Sequence, residues 1–204
     1  NSANMETDLT FEKNFSGSRV MEISINNSVF NQYFTGTLDN LKELLKEKCP
    51  SELTWSVEEK EDNYICTFTL VFDSIDTYKT KIGSLLGQDG DINLVQADTV
   101  FAKGIAYEEG FSSKELLTWF TSALIEAGYV NSNNESEIFS SETTSFTFRT
   151  KEYETSNYVS VSDLLYLDNG IIDILTTPHY DDTYDRRILF HIPTSTLEAN
   201  QEKI

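Results

Sequence analysis

An α+β fold made mostly of antiparallel strands is what this sequence predicts, and three observations carry the prediction. Apolar and polar residues alternate with a period of two in several stretches, Met21 to Ile25 and Tyr64 to Phe72 among them. Apolar stripes at helical spacing stand between those stretches. The paired stretches are joined by short polar turns, not by the helical crossovers that a parallel sheet needs. Helices packed on one face of the sheets are expected, with a hairpin-helix-hairpin-helix first half and a related second half.

The first hairpin runs from Leu9 to Ile25. Leu9 and Phe11 alternate with polar residues before the turn, Met21, Ile23 and Ile25 after it, and Ser16-Gly17-Ser18 between them offers the positive φ of a short loop. Asn26 to Gly36 is a polar and aromatic connection whose Val29, Phe30, Tyr33 and Phe34 can pack under the sheet. Thr37 then caps a helix with Leu38, Leu41, Leu44 and Leu45 on one side, and Pro50 stops it. Lys46 and Lys48 suit its C-terminal dipole.

A second hairpin alternates Leu53, Trp55 and Val57, turns between Glu59 and Asn63, and returns through Tyr64, Cys66, Phe68, Leu70 and Phe72. Ser74 caps the next helix, with Ile75, Tyr78, Ile82, Leu85 and Leu86 on one side and Gly87 at its end. Gln88 to Asn93 breaks the pattern and divides a ββαββα domain, 1–94, from residues 95–204, which form a second α+β domain or continue the same sheet.

Beyond the break, Thr99 to Glu108 is a predicted strand, and Ser112 with Glu115 is a capping box that opens a helix ending at Gly128. Short strands are expected at Ile138–Phe139 and Phe146–Phe148, with Ser140 to Thr143 as their turn. The order strand, helix, loop, hairpin echoes Ile23 to Phe72. Tyr158 to Tyr166 reads as a strand running into a short helix capped by Ser162, followed by strands at Ile171–Leu175 and Arg187–Ile192 and a frayed tail from Thr194.

Composition narrows the function. Of the 204 residues 39% are hydrophobic and 12% aromatic, enough for a core. The net charge of −19 repels phosphate backbones and anionic headgroups, so nucleic acid is not an expected partner. No apolar run reaches the roughly 18 residues of a transmembrane segment. The polar start Asn1-Ser2-Ala3-Asn4, without an initiator methionine, fits the remnant of a removed leader and hence export. Sequons at Asn14, Asn26 and Asn134 matter only in a glycosylating pathway. Cys66 shares its strand face with Tyr64, Phe68, Leu70 and Phe72, which predicts a buried inert thiol; a disulfide to Cys49 is the alternative.

The one concentration of ligand-type side chains is Pro178 to Asp185. Asp181, Asp182 and Asp185 could gather around a hard cation, with His179 joining them, or form a solvated loop neutralised by Arg186 and Arg187. The DDxxD spelling belongs on a long helix in magnesium-diphosphate enzymes and is here placed between strands, so that match is rejected. Asp89, Asp91 and Asn93 start like a calcium loop, but Leu94 stands where the EF-hand needs Gly. His191 lies in an apolar strand and is expected to be packed.

No nucleophile elbow, P-loop or dinucleotide fingerprint is present, so no catalytic residue and no cofactor is assigned. Tyr153, Tyr158, Tyr166, Tyr180 and Tyr184 cluster in the last third, where tyrosines beside acids and amides suit a glycan- or protein-binding face; half-packed strand residues are the alternative.

The run METDLTFEKNFSGSRVMEISI, the leucine-rich helix after it and LTWSVEEKEDNYICTFTLVFDSIDTYKTKI together resemble the LppM-type domain of bacterial envelope lipoproteins, over about residues 5–86. The resemblance implies an exported protein held by a lipid anchor upstream of Asn1, with a tendency to bind lipid or glycolipid. It carries over no functional residue.

The expected function is a secreted or surface-tethered, non-enzymatic envelope protein, extracellular or at the cell surface, that binds an extracellular ligand or protein, lipid and glycan included. An apolar ligand would sit between the sheet and the helices carrying Leu41, Leu45 and Phe120. One alternative is a structural or adhesive module, marked by a large apolar surface patch and self-association. The other is a hydrolase using Asp181, Asp182 and Asp185, with or without a divalent cation.

Overall fold

A computed structural model gives the fold and describes residues 3–138 and 141–201. Its elements, in chain order, are β1 (Asn4–Phe11), β2 (Gly17–Asn26), α1 (Asn27–Tyr33), α2 (Leu38–Lys48), β3 (Thr54–Lys60), β4 (Asn63–Phe72), α3 (Ile75–Leu86), β5 (Ile92–Asp98) and β6 (Ala102–Ser112). There follow α4 (Ser113–Leu116), α5 (Thr118–Glu126), a 3-10 turn (Ser132–Asn134), α6 (Glu135–Ile138), β7 (Ser141–Phe148), β8 (Lys151–Thr155), β9 (Tyr158–Tyr166), β10 (Ile171–Pro178), β11 (Tyr184–His191) and α7 (Thr194–Glu198). The class is α+β with mostly antiparallel sheets. Among the described residues no helix is long and apolar enough to cross a membrane.

The chain forms two units. Asn1–Asn93 joins Tyr107–Val161 in the larger, and Leu94–Ala106 joins Ser162–Ile204 in the smaller. The expected division into 1–94 and 95–204 marks the first crossing only, because 107–161 returns to the larger unit.

In the larger unit a six-stranded sheet has the order β3-β4-β2-β1-β7-β8. All its pairings are antiparallel except β1 with β7. One face is apolar: Met5, Leu9, Phe11, Met21, Ile23, Phe68, Leu70 and Phe146 are all buried. Helices cover that face, with Phe120 of α5 against Phe68 and Tyr78 of α3 against Phe11 and Phe72. The other face carries Glu6, Asp8 and Glu154 to solvent, as alternation requires.

The first turn differs from its prediction. It closes from Glu12 to Ser16, and the left-handed residue is Phe15, at φ 60°. Gly17 is needed for another reason: a Cβ there would lie 1.8 Å from the Thr10 carbonyl oxygen, so only glycine permits this approach of β2 to β1. The connection after Asn26 is the helix α1, because the Asn26 side chain accepts from Ser28 N and Val29 and Phe30 bury themselves. The Ser112–Glu115 capping box forms, but the helix it opens breaks at Leu117. Ile138 ends a helical turn in place of the expected strand, while Phe139 and Ser140 lie outside the described residues.

A strand at Ile92–Asp98, most of it in the smaller unit, precedes the predicted one, and the chain stays extended through Ser162 to Tyr166 where a helix is expected. The expected frayed tail instead forms α7. Thr196 is buried and donates to the Asp168 carbonyl at 2.8 Å, and Asn200 donates to the Val100 carbonyl at 3.0 Å. Residues 202–204 lie outside the described residues.

Candidate interaction surface

Strands β10 and β11 each carry a short run of core-type residues, IIDIL with Asp173 inside it and ILF after Arg186-Arg187. In the structure they form a two-stranded ribbon with no third strand among the described residues, and every residue of both strands is exposed. This mismatch between sequence and surroundings is the most informative feature of the molecule.

Register separates the ribbon's two faces, because directly opposed residues share a face. On one face stand Ile172 opposite Phe190, Ile174 opposite Ile188, Thr176 opposite Arg186, and Pro178 opposite Tyr184. Ile172, Ile174, Ile188 and Phe190 are 57%, 61%, 62% and 51% exposed. Arg186 Nε donates to Thr176 Oγ1 at 3.3 Å, and the Phe190 ring meets Phe101 edge to face at 6.1 Å between centroids. The opposite face mixes Ile171, Leu175 and Leu189 with Asp173, Asp185, Arg187 and His191. His191, expected to be packed, is exposed and lies 2.9 Å from Asp173 Oδ2, because it pairs at the ribbon's base and not in a core.

The acidic turn at the tip is held by its own side chains. Asp181 Oδ1 accepts from Thr183 N at 3.3 Å and from Thr183 Oγ1 at 2.5 Å, which lowers the Asp181 pKa below the ordinary carboxylate value. His179 Nε2 is 3.0 Å from Asp185 Oδ2. Asp181, Asp182 and Asp185 do not converge: among the described residues no three acids, histidines or cysteines are arranged to hold a metal ion. The tyrosines are divided as well. Tyr153 packs on Phe146 and Tyr158 is exposed, both in the larger unit, whereas Tyr166, Tyr180 and Tyr184 are exposed in the smaller.

A second feature lies inside the larger unit. Arg19 and Glu109 are wholly buried, with Arg19 Nη1 donating to Glu109 Oε2 at 2.7 Å. Tyr78 and Tyr107 donate to Glu109 Oε1 at 2.6 and 2.7 Å, and Ser113 Oγ accepts from Arg19 Nη2 at 2.6 Å. Burial is the largest influence on Arg19 and opposes its charge, but Glu109 and Tyr78 together outweigh it and the Arg19 pKa rises above its ordinary value. Burial raises both phenols, so they stay protonated donors. The cluster is sealed and internally satisfied, which suits architecture rather than turnover. Its only mark in the sequence is parity, since Arg19 has the inward parity of Met21, Ile23 and Ile25.

The larger unit also contains a wholly apolar cavity of about 30 Å³, lined by Ile25, Phe30, Phe34, Leu41, Phe120 and Val130 among others. It lies where the sequence places an apolar ligand, beside Leu41 and Phe120 but not Leu45. A space of that size holds about one water-sized group. Comparison with protein-family models, curated proteins and solved structures finds no match.

Proposed function

We propose that this chain is a non-catalytic interaction module of the extracellular space or cell surface, and that it engages a protein partner through the β10–β11 ribbon. One observation carries the reading: a two-stranded ribbon exposes the core-type residues Ile172, Ile174, Ile188 and Phe190 together on a single face. A two-stranded ribbon is marginally stable alone in water, and contiguous apolar patches mark interaction sites. The tip bearing Asp181 and Asp182 disfavours an anionic membrane as the target, since like charges repel. A lipid ligand has less support, because the apolar cavity is far smaller than an acyl chain.

The test is native size separation of an extract of the source cells, with tagged full-length chain or its Ile174→Asp, Ile188→Asp variant. The intact chain is expected in a larger species that the variant leaves. A wild-type chain that runs as a monomer in the extract and when purified overturns the reading.

A further inference from the structure

The face bearing Ile172, Ile174, Ile188 and Phe190 holds no carboxylate, in a chain with 34 of them. Both acids of the two strands, Asp173 and Asp185, point to the opposite face. We infer that the apolar face is closed by the same face of a second copy, giving an isologous dimer in which two ribbons pack face to face. This rests on the interaction reading above and names its partner.

Charge selects a second copy. Two chains of net charge −19 repel wherever acids meet, but charges farther apart than about 8 Å are screened at physiological ionic strength. Only the charges at the joint itself then matter. The one charge on this face is Arg186, and an antiparallel two-fold axis near Ile174 and Ile188 brings Arg186 of each copy toward Phe190 of the other. A guanidinium over an aromatic ring is attractive. Across the paired strands the joint therefore sets no acid against an acid, and the one cation of each copy is compensated.

Shape and area agree. Sheets pack face to face about 10 Å apart through interdigitating apolar side chains, and each strand of the ribbon offers eight residues to such a joint. Side chains of this size at half to two-thirds exposure offer roughly 100 Å² each. Eight of them give on the order of 700–800 Å², close to the roughly 800 Å² that each partner contributes to a stable interface.

Sedimentation velocity of the purified full chain, from low to high micromolar concentration, tests the dimer. Wild type is expected to pass from monomer to dimer, and Ile174→Asp with Ile188→Asp to stay monomeric throughout. Leu175→Asp, on the opposite face, should dimerise as wild type does. Ile174→Thr with Ile188→Thr keeps β-branched residues and should also weaken the dimer with an unchanged far-ultraviolet circular dichroism spectrum, which separates lost contact from lost folding. A monomeric wild type at every concentration overturns the inference, as does a Leu175→Asp variant that dissociates equally. If that purified monomer still enters a ribbon-dependent complex in the cell extract, only the self-pairing fails; if it does not, the interaction reading falls too.

Discussion

Arg19 of β2 and Glu109 of β6 meet at 2.7 Å with neither side chain exposed, so two segments ninety residues apart are joined by a charge pair inside the larger unit. Tyr78, Tyr107 and Ser113 add hydrogen bonds to the pair, and the Arg19 guanidinium also lies 5.4 Å from the Phe111 ring centroid. Such a pair is weak evidence for stability, because apolar residues of similar volume would pack without the desolvation cost.

Removing one partner should therefore hurt more than removing both. Glu109→Leu leaves Arg19 charged and unpaired, at a cost of about 3–5 kcal/mol. Adding Arg19→Met should recover most of that loss. Urea unfolding followed by fluorescence reads it directly, since Trp55 and Trp119 both belong to the larger unit. A double variant as unstable as the single one would show that packing, not the stranded charge, dominates.

Glu142 gives the pH dependence. Burial is the largest influence on its carboxyl and raises its pKa, although it accepts from Ser113 N at 2.8 Å. The folded protein keeps this proton over a window where the unfolded chain has lost it. The stability contribution is then full below the ordinary glutamate value of about 4.3 and is lost as pH rises through the raised one. Glu142→Gln removes the slope and keeps an acceptor for Ser113. Its melting midpoint should gain on wild type as pH rises from the ordinary glutamate value through the raised one. A difference that does not vary with pH contradicts this.

The thiols should be quiet. Burial pushes Cys66 up to about 12 and Cys49 up to about 11, and both are free. The reactive thiolate is scarce at neutral pH. A disulfide-exchange reagent should label half-buried Cys49 slowly, Cys66 more slowly still, and both at once in denaturant. Rapid native labelling of Cys66 would mean that the sheet opens far more often than its packing implies.

The cavity beside Leu41 and Phe120 should respond to size. Val29 lines it, and Val29→Ile adds one methylene to a space of about 30 Å³. The expected gain is up to about 0.8 kcal/mol. Phe120→Ala, by contrast, should cost about 3–5 kcal/mol. Excess fatty acid should leave the melting midpoint where it is, and a clear rise would restore the lipid-binding alternative.

Legibility in the sequence followed the range of the interactions. The alternation of Met21, Ile23 and Ile25 fixes a strand because one face is wet, and Ser112 with Glu115 marks a helix start through bonds only three residues long. The parallel pairing of β1 with β7 joins Asn4 to Ser141, and nothing local encodes it. Strand β5 was hidden by the turn residues Asp89, Gly90 and Asp91 just before it. For the interaction surface, Ile172 and Phe190 look like core residues by type, since propensity specifies a strand but not what covers it. Their exposure emerges only when the ribbon is found without a third strand among the described residues.

That exposure should be visible in hydrogen exchange. Strands β1 and β2 lie inside a six-stranded sheet under helices, so their amides exchange only when the larger unit opens. In β10 and β11 the pairing runs from Ile171 opposite His191 to Pro178 opposite Tyr184, and neither strand has another neighbour among the described residues. Half of the ribbon's amides therefore face water, and the other half are guarded by a hairpin that is marginal on its own. At low protein concentration, ribbon amides should exchange orders of magnitude faster than those of Met21 or Ile23. Raising the concentration should slow the ribbon selectively, because a covered face must be uncovered before its strands part. Ribbon amides as protected as those of Met21 at the lowest concentration would mean that the hairpin is stable uncovered, which removes the physical reason for a partner.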